Sequence, residues 1–368
     1  MIQRYFGELT DHRQAWKIKY NLLEIIVMTI CAVIAGCNVW EDIADYCQAK
    51  IDFFREKLHM ELTNGVPSHD TMQRVWGMIE PDEFERCFRN WVKSVCKPEE
   101  KEVISIDGKT NRGSKSKEKN AIHMVSAWAN SQQMVLGQIA VDEKSNEITA
   151  VPELIKMLDL KGCIVTADAM SCQKSIVQEI TNKEADYVIG LKGNQPKMYK
   201  SVREYFEATR NKAEGDEGIK VAKTVEIGHG RTEIREYYIT SGIDWFDKRD
   251  EWSGLKAFGM VHSLTEENGK LREEERYYIT SLDDASLFSE AVRKHWGIEN
   301  SLHWCLDVTF QEDHSRIRKD HSAENMAVVR HIVLNILRNY PEEISLARKR
   351  RRCAYDDTFF GDVIATIL

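Results

Sequence analysis

Apolar residues recur at helical spacing through the first part of the chain. Leu22, Leu23, Ile26, Ile30, Val33 and Ile34 share one face of a helix that Gly36 ends. Phe84, Phe88, Trp91, Val92 and Val95 share another, stopped by Pro98. Between them Met72, Val75, Trp76 and Ile79 mark a short helix with Ser68 or Asp70 as its cap. Residues 1–98 are therefore expected to form an all-helical N-terminal domain. Short helices joined by tight turns suit a helix-turn-helix entering the DNA major groove, and equally any small helical domain.

At Val103 the pattern turns to strands. Val103–Ile106 is short, apolar and β-branched, and Asp107 and Gly108 follow, so Asp107 is expected at the carboxyl end of a buried strand. Residues 122–129 and 134–141 continue a meander around the turn Asn130-Ser131. A helix with Ile148, Val151, Ile155 and Leu158 inward comes next, with Pro152 in its first turn. The strand Cys163–Ala167 leads to a second carboxylate, Asp168. Its helix carries Ile176, Val177 and Ile180, and the strand Tyr187–Leu191 follows. The order is three strands, helix, strand, helix, strand. Residues 221–280 then read as two hairpins, turning at Gly228-His229-Gly230 and at Asn268-Gly269. From Leu287 to Leu306 the helical period returns, and a last helix turns Met326, Val329, Val333 and Ile336 inward.

Three acidic positions stand out. If the two aspartate-ending strands are neighbours, both carboxylates emerge at one sheet edge, and two anions so close call for a cation. Either aspartate could instead be a turn residue or a helix cap. Glu299 recurs with Val292, Trp296, Leu302 and Leu306 on one helix face, so it is expected within an apolar stripe. A carboxylate there needs a proton, a metal or a cationic neighbour, and His295, one turn earlier, could be that neighbour.

Composition narrows the class. The 368 residues are 42% hydrophobic and 30% charged, an ordinary globular profile. Nine cysteines without a CxxC pair suggest neither a zinc site nor a disulfide framework, which fits a reducing cytoplasm. The most apolar run, Ile25 to Gly36, is too short for a bilayer, and Met1 begins no signal peptide, so a soluble intracellular protein with no membrane partner is expected. A net charge of −8 argues against nucleic acid, but Lys109–Lys119 and Arg348–Arg352 are locally basic. Each is either a phosphate contact or a solvated surface.

Several strings resemble one family. Asp107-Gly108-Lys109, Val165–Ala169, Leu191–Gln195, His229–Arg231, and above all His295–Asn300 with His303–Val308 resemble DDE transposases of the H-repeat-associated group, encoded by ISAs-type insertion sequences. The resemblance implies an α/β, ribonuclease-H-like mixed sheet with a β-strand insertion before the last catalytic helix. The core is then residues 99–196 and 284–340, the insertion 197–283, and 341–368 a basic C-terminal tail. It implies Asp107, Asp168 and Glu299 as catalytic, metal-holding residues. An all-oxygen set suits two Mg²⁺ or Mn²⁺ ions, Asp107 bridging them. It also implies cleavage of element ends and strand transfer into target DNA, with terminal inverted repeats and target duplex as partners and a homodimer to pair two ends. Val292, His295 and Leu306 stand where the wider family has Tyr, Arg and Lys. Lys109, Lys192, Asn194, His229, Arg231, Arg293, Lys294 and His295 are the expected DNA contacts. The rival readings are a nuclease of the same fold that cuts without joining, and a degenerate remnant that only binds DNA.

Overall fold

The computed structural model describes residues 2–115, 120–141, 147–209, 218–228 and 230–365. Six helices open it: α1 (Ile2–Phe6), α2 (Leu22–Ile34), α3 (Trp40–Ala49), α4 (Ile51–Lys57), α5 (His69–Met78) and α6 (Pro81–Val95). Local chemistry sets their ends. Asn21 Oδ1 caps α2 by accepting from Leu23 N at 2.8 Å, Ser68 Oγ caps α5 by accepting from Thr71 N at 3.4 Å, and Pro81 opens α6. Met72, Val75 and Trp76 of α5 point inward, and Trp76 Nε1 donates to the buried Thr29 hydroxyl at 2.9 Å.

The strands and their helices follow: β1 (Val103–Asn111), β2 (Ile122–Ala129), β3 (Met134–Val141), α7 (Glu147–Met157), β4 (Ile164–Ala167), α8 (Lys174–Asn182), β5 (Asp186–Leu191) and α9 (Pro196–Thr209). Then come β6 (Ile219–Gly228), β7 (Arg231–Thr240), β8 (Ala257–Glu267) and β9 (Lys270–Thr280). A helical run closes on them: α10 (Ala285–Gly297), a π-helical turn (Ile298–His303) and α11 (Trp304–Val308). The last helices are α12 (Ser322–Asn339), α13 (Leu346–Tyr355) and α14 (Asp357–Ala365). The molecule is thus mixed α/β, with a helical N-terminal region and one large mixed sheet.

All nine strands among the described residues belong to that sheet, in the order β3-β2-β1-β4-β5-β9-β8-β7-β6. β4 lies parallel to both β1 and β5, so the two strands that lead to the aspartates are neighbours. The hairpins at 221–280 are not a separate sheet: β9 pairs antiparallel with β5 and carries the ladder outward. Two sequence expectations change here. β1 does not stop before Gly108, because antiparallel pairing with β2 continues to Asn111, while the parallel ladder with β4 ends at Ile106. Asp107 is therefore mid-strand, at the first position where β4 no longer covers it. Pro152 is the sixth residue of α7 as described, inside the helix and not in its first turn.

The core is shared between the helical region and the sheet. α12 is buried on nearly every side, packing on α2, α5 and α6 as well as on β3. Its Asn335 exchanges two hydrogen bonds of 2.9 Å with the Val135 backbone, and Asn325 donates to the carbonyls of Trp76 and Ile79. The basic run Arg348–Arg352 lies in α13. There Lys349 is buried and donates to the Leu337 and Tyr340 carbonyls, and Arg350 to Val33 O. No described helix is long and apolar enough to cross a membrane, and all nine cysteines are unpaired.

Candidate active site

Three elements bring the sequence-flagged carboxylates to one edge of the sheet. Asp107 leaves β1 where β4 ends, Asp168 follows the last residue of β4, and Glu299 is the second residue of the π turn. Burial pushes the Asp107 carboxyl up to about 7; the Gly108 N–H bond opposes this, and the charges of Asp168, Glu147 and Glu299 add to it. Asp168 and Glu299 line one cavity, and Asp107 lies within reach of both charges. The ligating oxygens of the triad do not all lie within 4.8 Å of one another. Among the described residues the one such group is His262, Glu273 and Glu275 on β8 and β9, where His262 Nε2 meets Glu273 Oε1 at 2.6 Å, and Glu275 also lines the cavity that Asp168 and Glu299 line.

Glu299 differs from its expected setting. Val292, Leu302 and Leu306 of the apolar stripe are buried, but Glu299 itself is exposed. The cause is the π turn, which widens the helix by one residue and rotates Glu299 away from the face that Leu302 and Leu306 bury. Instead it lines a cavity of about 340 Å³ together with Asp168, Lys192, Tyr199, Arg276 and Trp296. Gly297, just before the turn, lets the helix approach the β2–β3 connection: a Cβ there would run into Asn130 Oδ1. Asp168 also fills the helix-cap role, since its Oδ1 accepts from Met170 N at 3.1 Å. Cap and cavity residue are compatible, because one carboxylate oxygen remains.

Other groups near Asp107 escaped sequence reasoning. His303 Nδ1 lies 3.6 Å from Asp107 Oδ2, and its Nε2 is buried without a partner. Burial lowers the His303 imidazole to about 3, so it is neutral beside the carboxylate. Glu147, buried at the start of α7, bonds His123 Nε2, and His123 Nδ1 meets Thr110 Oγ1 at 2.9 Å. The Glu147 carboxylate and the His123 ring sit against the α-carbon of Gly108, where a Cβ would overlap both. The glycine after Asp107 thus serves close approach and not a turn. His303 stood inside a family-like string, but nothing in a sequence pairs residues as distant as 123 and 147.

The expected DNA contacts scatter. Lys192 and Asn194 are exposed near Asp168, and Asn194 donates to the Ala169 carbonyl at 2.6 Å. Arg231 is exposed at the outer hairpin turn, 3.3 Å from Glu233, and His229 lies outside the described residues. Arg293 pairs with Glu226 at 2.6 Å and Lys294 with Glu290 at 2.7 Å. His295 faces inward: its Nδ1 meets Thr166 Oγ1 at 3.0 Å, and burial lowers its imidazole to about 4. Lys109 is turned to carboxylates, 2.8 Å from Asp307 and 2.9 Å from Glu312.

The donor set suits a hard divalent cation. It is all oxygen, and Asp107 is burdened by anionic neighbours that such a cation would neutralise.

Comparison with known proteins gives the family. Residues 98–336 match the transposase DDE domain, and residues 3–92 match the DDE_Tnp_1-associated family. The chain is 41% identical over 373 residues to the "H repeat-associated putative transposase YhhI" of Escherichia coli K12, covering 99% of this chain and 97% of that one. It is 40% identical over 371 residues to the "Putative transposase YncI" of Escherichia coli O157:H7, covering 98% and 94%. A solved piggyBac transposase synaptic complex with hairpin DNA is similar at 10% identity and a TM-score of 0.45, over 100% of this chain and 79% of that one, too slight a likeness to bear on fold or function. The chain belongs to the DDE transposases, within the H-repeat-associated group.

Proposed function

We propose that this transposase cuts DNA at the ends of its insertion sequence and joins the freed 3′ ends to target DNA, using Asp107, Asp168 and Glu299 with two Mg²⁺ or Mn²⁺ ions. The observation that carries the reading is the convergence of Asp168 and Glu299 on Asp107, from β4 and from the π turn. In this reading β1–β5 are a ribonuclease-H-like core and β6–β9 its insertion before the Glu299 helix.

Asp107 would bridge the pair, and Asp168 and Glu299 would each hold one ion. Bound ions supply a Lewis acid for the attacking and leaving oxygens of an in-line displacement. The protein's own part is to fix the three carboxylates on rigid elements and to admit the strand through the cavity beside Asp168 and Glu299. In this reading Lys192, exposed on the cavity lining, would meet a phosphate, and Arg231, exposed at the far hairpin turn, DNA farther out. His295 and Lys109, both turned inward, are better suited to holding the site than to touching DNA. Pairing of two ends favours a homodimer, working in the cytoplasm where bacterial DNA lies.

The test is incubation of purified protein with Mg²⁺ and labelled DNA carrying the inverted repeats that flank its gene. Joined products support the reading; nicks without joining indicate a nuclease, and binding without products a remnant. Asp107→Asn and Glu299→Gln should abolish cutting and spare binding.

A further inference from the structure

The π turn that carries Glu299 is anchored on both sides to the strands that carry the two aspartates. On its N-terminal side, His295 Nδ1 meets Thr166 Oγ1 at 3.0 Å, two residues before Asp168 on β4. On its C-terminal side, Lys109, two residues after Asp107 on β1, reaches Asp307 Oδ1 at 2.8 Å. Lys109 also lies 2.9 Å from Glu312 Oε2 and 3.6 Å from Asp313 Oδ1. Arg330 of α12 takes the second Glu312 oxygen at 3.3 Å, and Arg112 N donates to Asp313 Oδ1 at 3.1 Å.

This second anchor is buried at its lysine end. The Lys109 side chain is 11% exposed and that of Glu312 4%, while Asp307, on the helix, is 39% exposed. The Lys109–Glu312 pair is withdrawn from water and holds its geometry because separating it strands a charge, so the ammonium that meets Asp307 is itself fixed in place. A π turn is the least regular part of a helix, and its extra residue can shift along the run. Such a shift would rotate Glu299 relative to residues on either side. Asp307, eight positions after Glu299, marks where that rotation is stopped.

We propose that Lys109 is a positioning residue: by holding Asp307 it sets the angle at which the helix presents Glu299 to Asp107, with Asp307, Glu312 and Asp313 as its counterions and not metal ligands. The proposal rests on the metal-site reading above. It also accounts for a lysine two residues after Asp107 whose side chain is only 11% exposed.

Mn²⁺ binding to the full-length protein without DNA, followed by electron paramagnetic resonance, tests it. Wild type is compared with Lys109→Met, Asp307→Asn, the double variant and Asp107→Asn. Asp307 is 39% exposed, and its loss leaves Lys109 still paired with Glu312, so this variant keeps its fold. Lys109→Met and Asp307→Asn are each expected to weaken Mn²⁺ binding roughly tenfold, as losses of groups that orient metal ligands do. The double variant should be no weaker than either single one, because both break one link. Unchanged affinity in both single variants would overturn the proposal. So would loss of an ion in Asp307→Asn with none in Lys109→Met, which would make Asp307 a ligand. If wild type binds no Mn²⁺ that Asp107→Asn abolishes, the metal-site reading itself fails and takes the clamp with it.

Discussion

Replacing Asp107 by Asn should make the ion-free protein more stable at high pH, although it removes the residue on which the proposed chemistry depends. In the folded chain the Asp107 carboxyl is raised from 3.8 to about 7, first by burial and then by the neighbouring carboxylates. Between those values the folded state keeps a proton that the unfolded chain has released. Stability therefore falls as pH rises through that window, then levels off above about pH 7. The displacement corresponds to about 4 kcal/mol, or ~5 °C in Tm for a chain of 368 residues. The side chain is only 21% exposed, so solvent screening takes little from this figure. The substituted amide, having no charge to bury, escapes the penalty. Thermal melts in chelator from pH 4 to pH 8 should show the two proteins diverging as pH rises, with the variant ahead at pH 8. Adding Mg²⁺ should close the gap by stabilising wild type, more at pH 8 than at pH 5. Parallel melting curves across the pH range, or equal Mg²⁺ stabilisation of both proteins, would refute the reasoning.

Other outcomes follow from the same structure. Gly108→Ala should lower stability by about 1–3 kcal/mol in urea melts, because its Cβ would displace the Glu147 carboxylate and the His123 ring. Asn335→Leu should cost about 3 kcal/mol, since it leaves the buried Val135 N–H and C=O without partners. Trp304, 60% exposed, is expected to tolerate Ala within about 0.5 kcal/mol, so any larger effect would appear in DNA binding and not in melting. Acid should destabilise from the other direction. Burial holds His295 near 4 and His303 near 3, so protonating the unfolded chain below its ordinary 6.5 favours unfolding. A His295→Gln variant should show a shallower loss of stability between pH 6.5 and pH 4.

The strands and their helices were legible because each carries a simple period. Ile122–Ala129 and Met134–Val141 alternate or run apolar between turn residues, and they form β2 and β3 over those residues. Position relative to partners was less legible. The end of β1 depends on β2, which supports Asp107 to Asn111 after β4 has stopped. Likewise, β9 joins β5 across a long loop of chain, so the hairpins extend the first sheet. Glu299 shows the limit most clearly. A regular helical period places it in the apolar stripe, and one extra residue in a π turn takes it out. Local pattern has no signal for that insertion, nor for Lys109 turning inward to carboxylates roughly two hundred residues away.

The most direct test is an anomalous diffraction map of the protein crystallised with its DNA end and Mn²⁺. Two peaks about 3.5–4 Å apart are expected, both touching Asp107, one also held by Asp168 and the other by Glu299. A map with Mn²⁺ at His262, Glu273 and Glu275 and none at Asp107 would contradict the account.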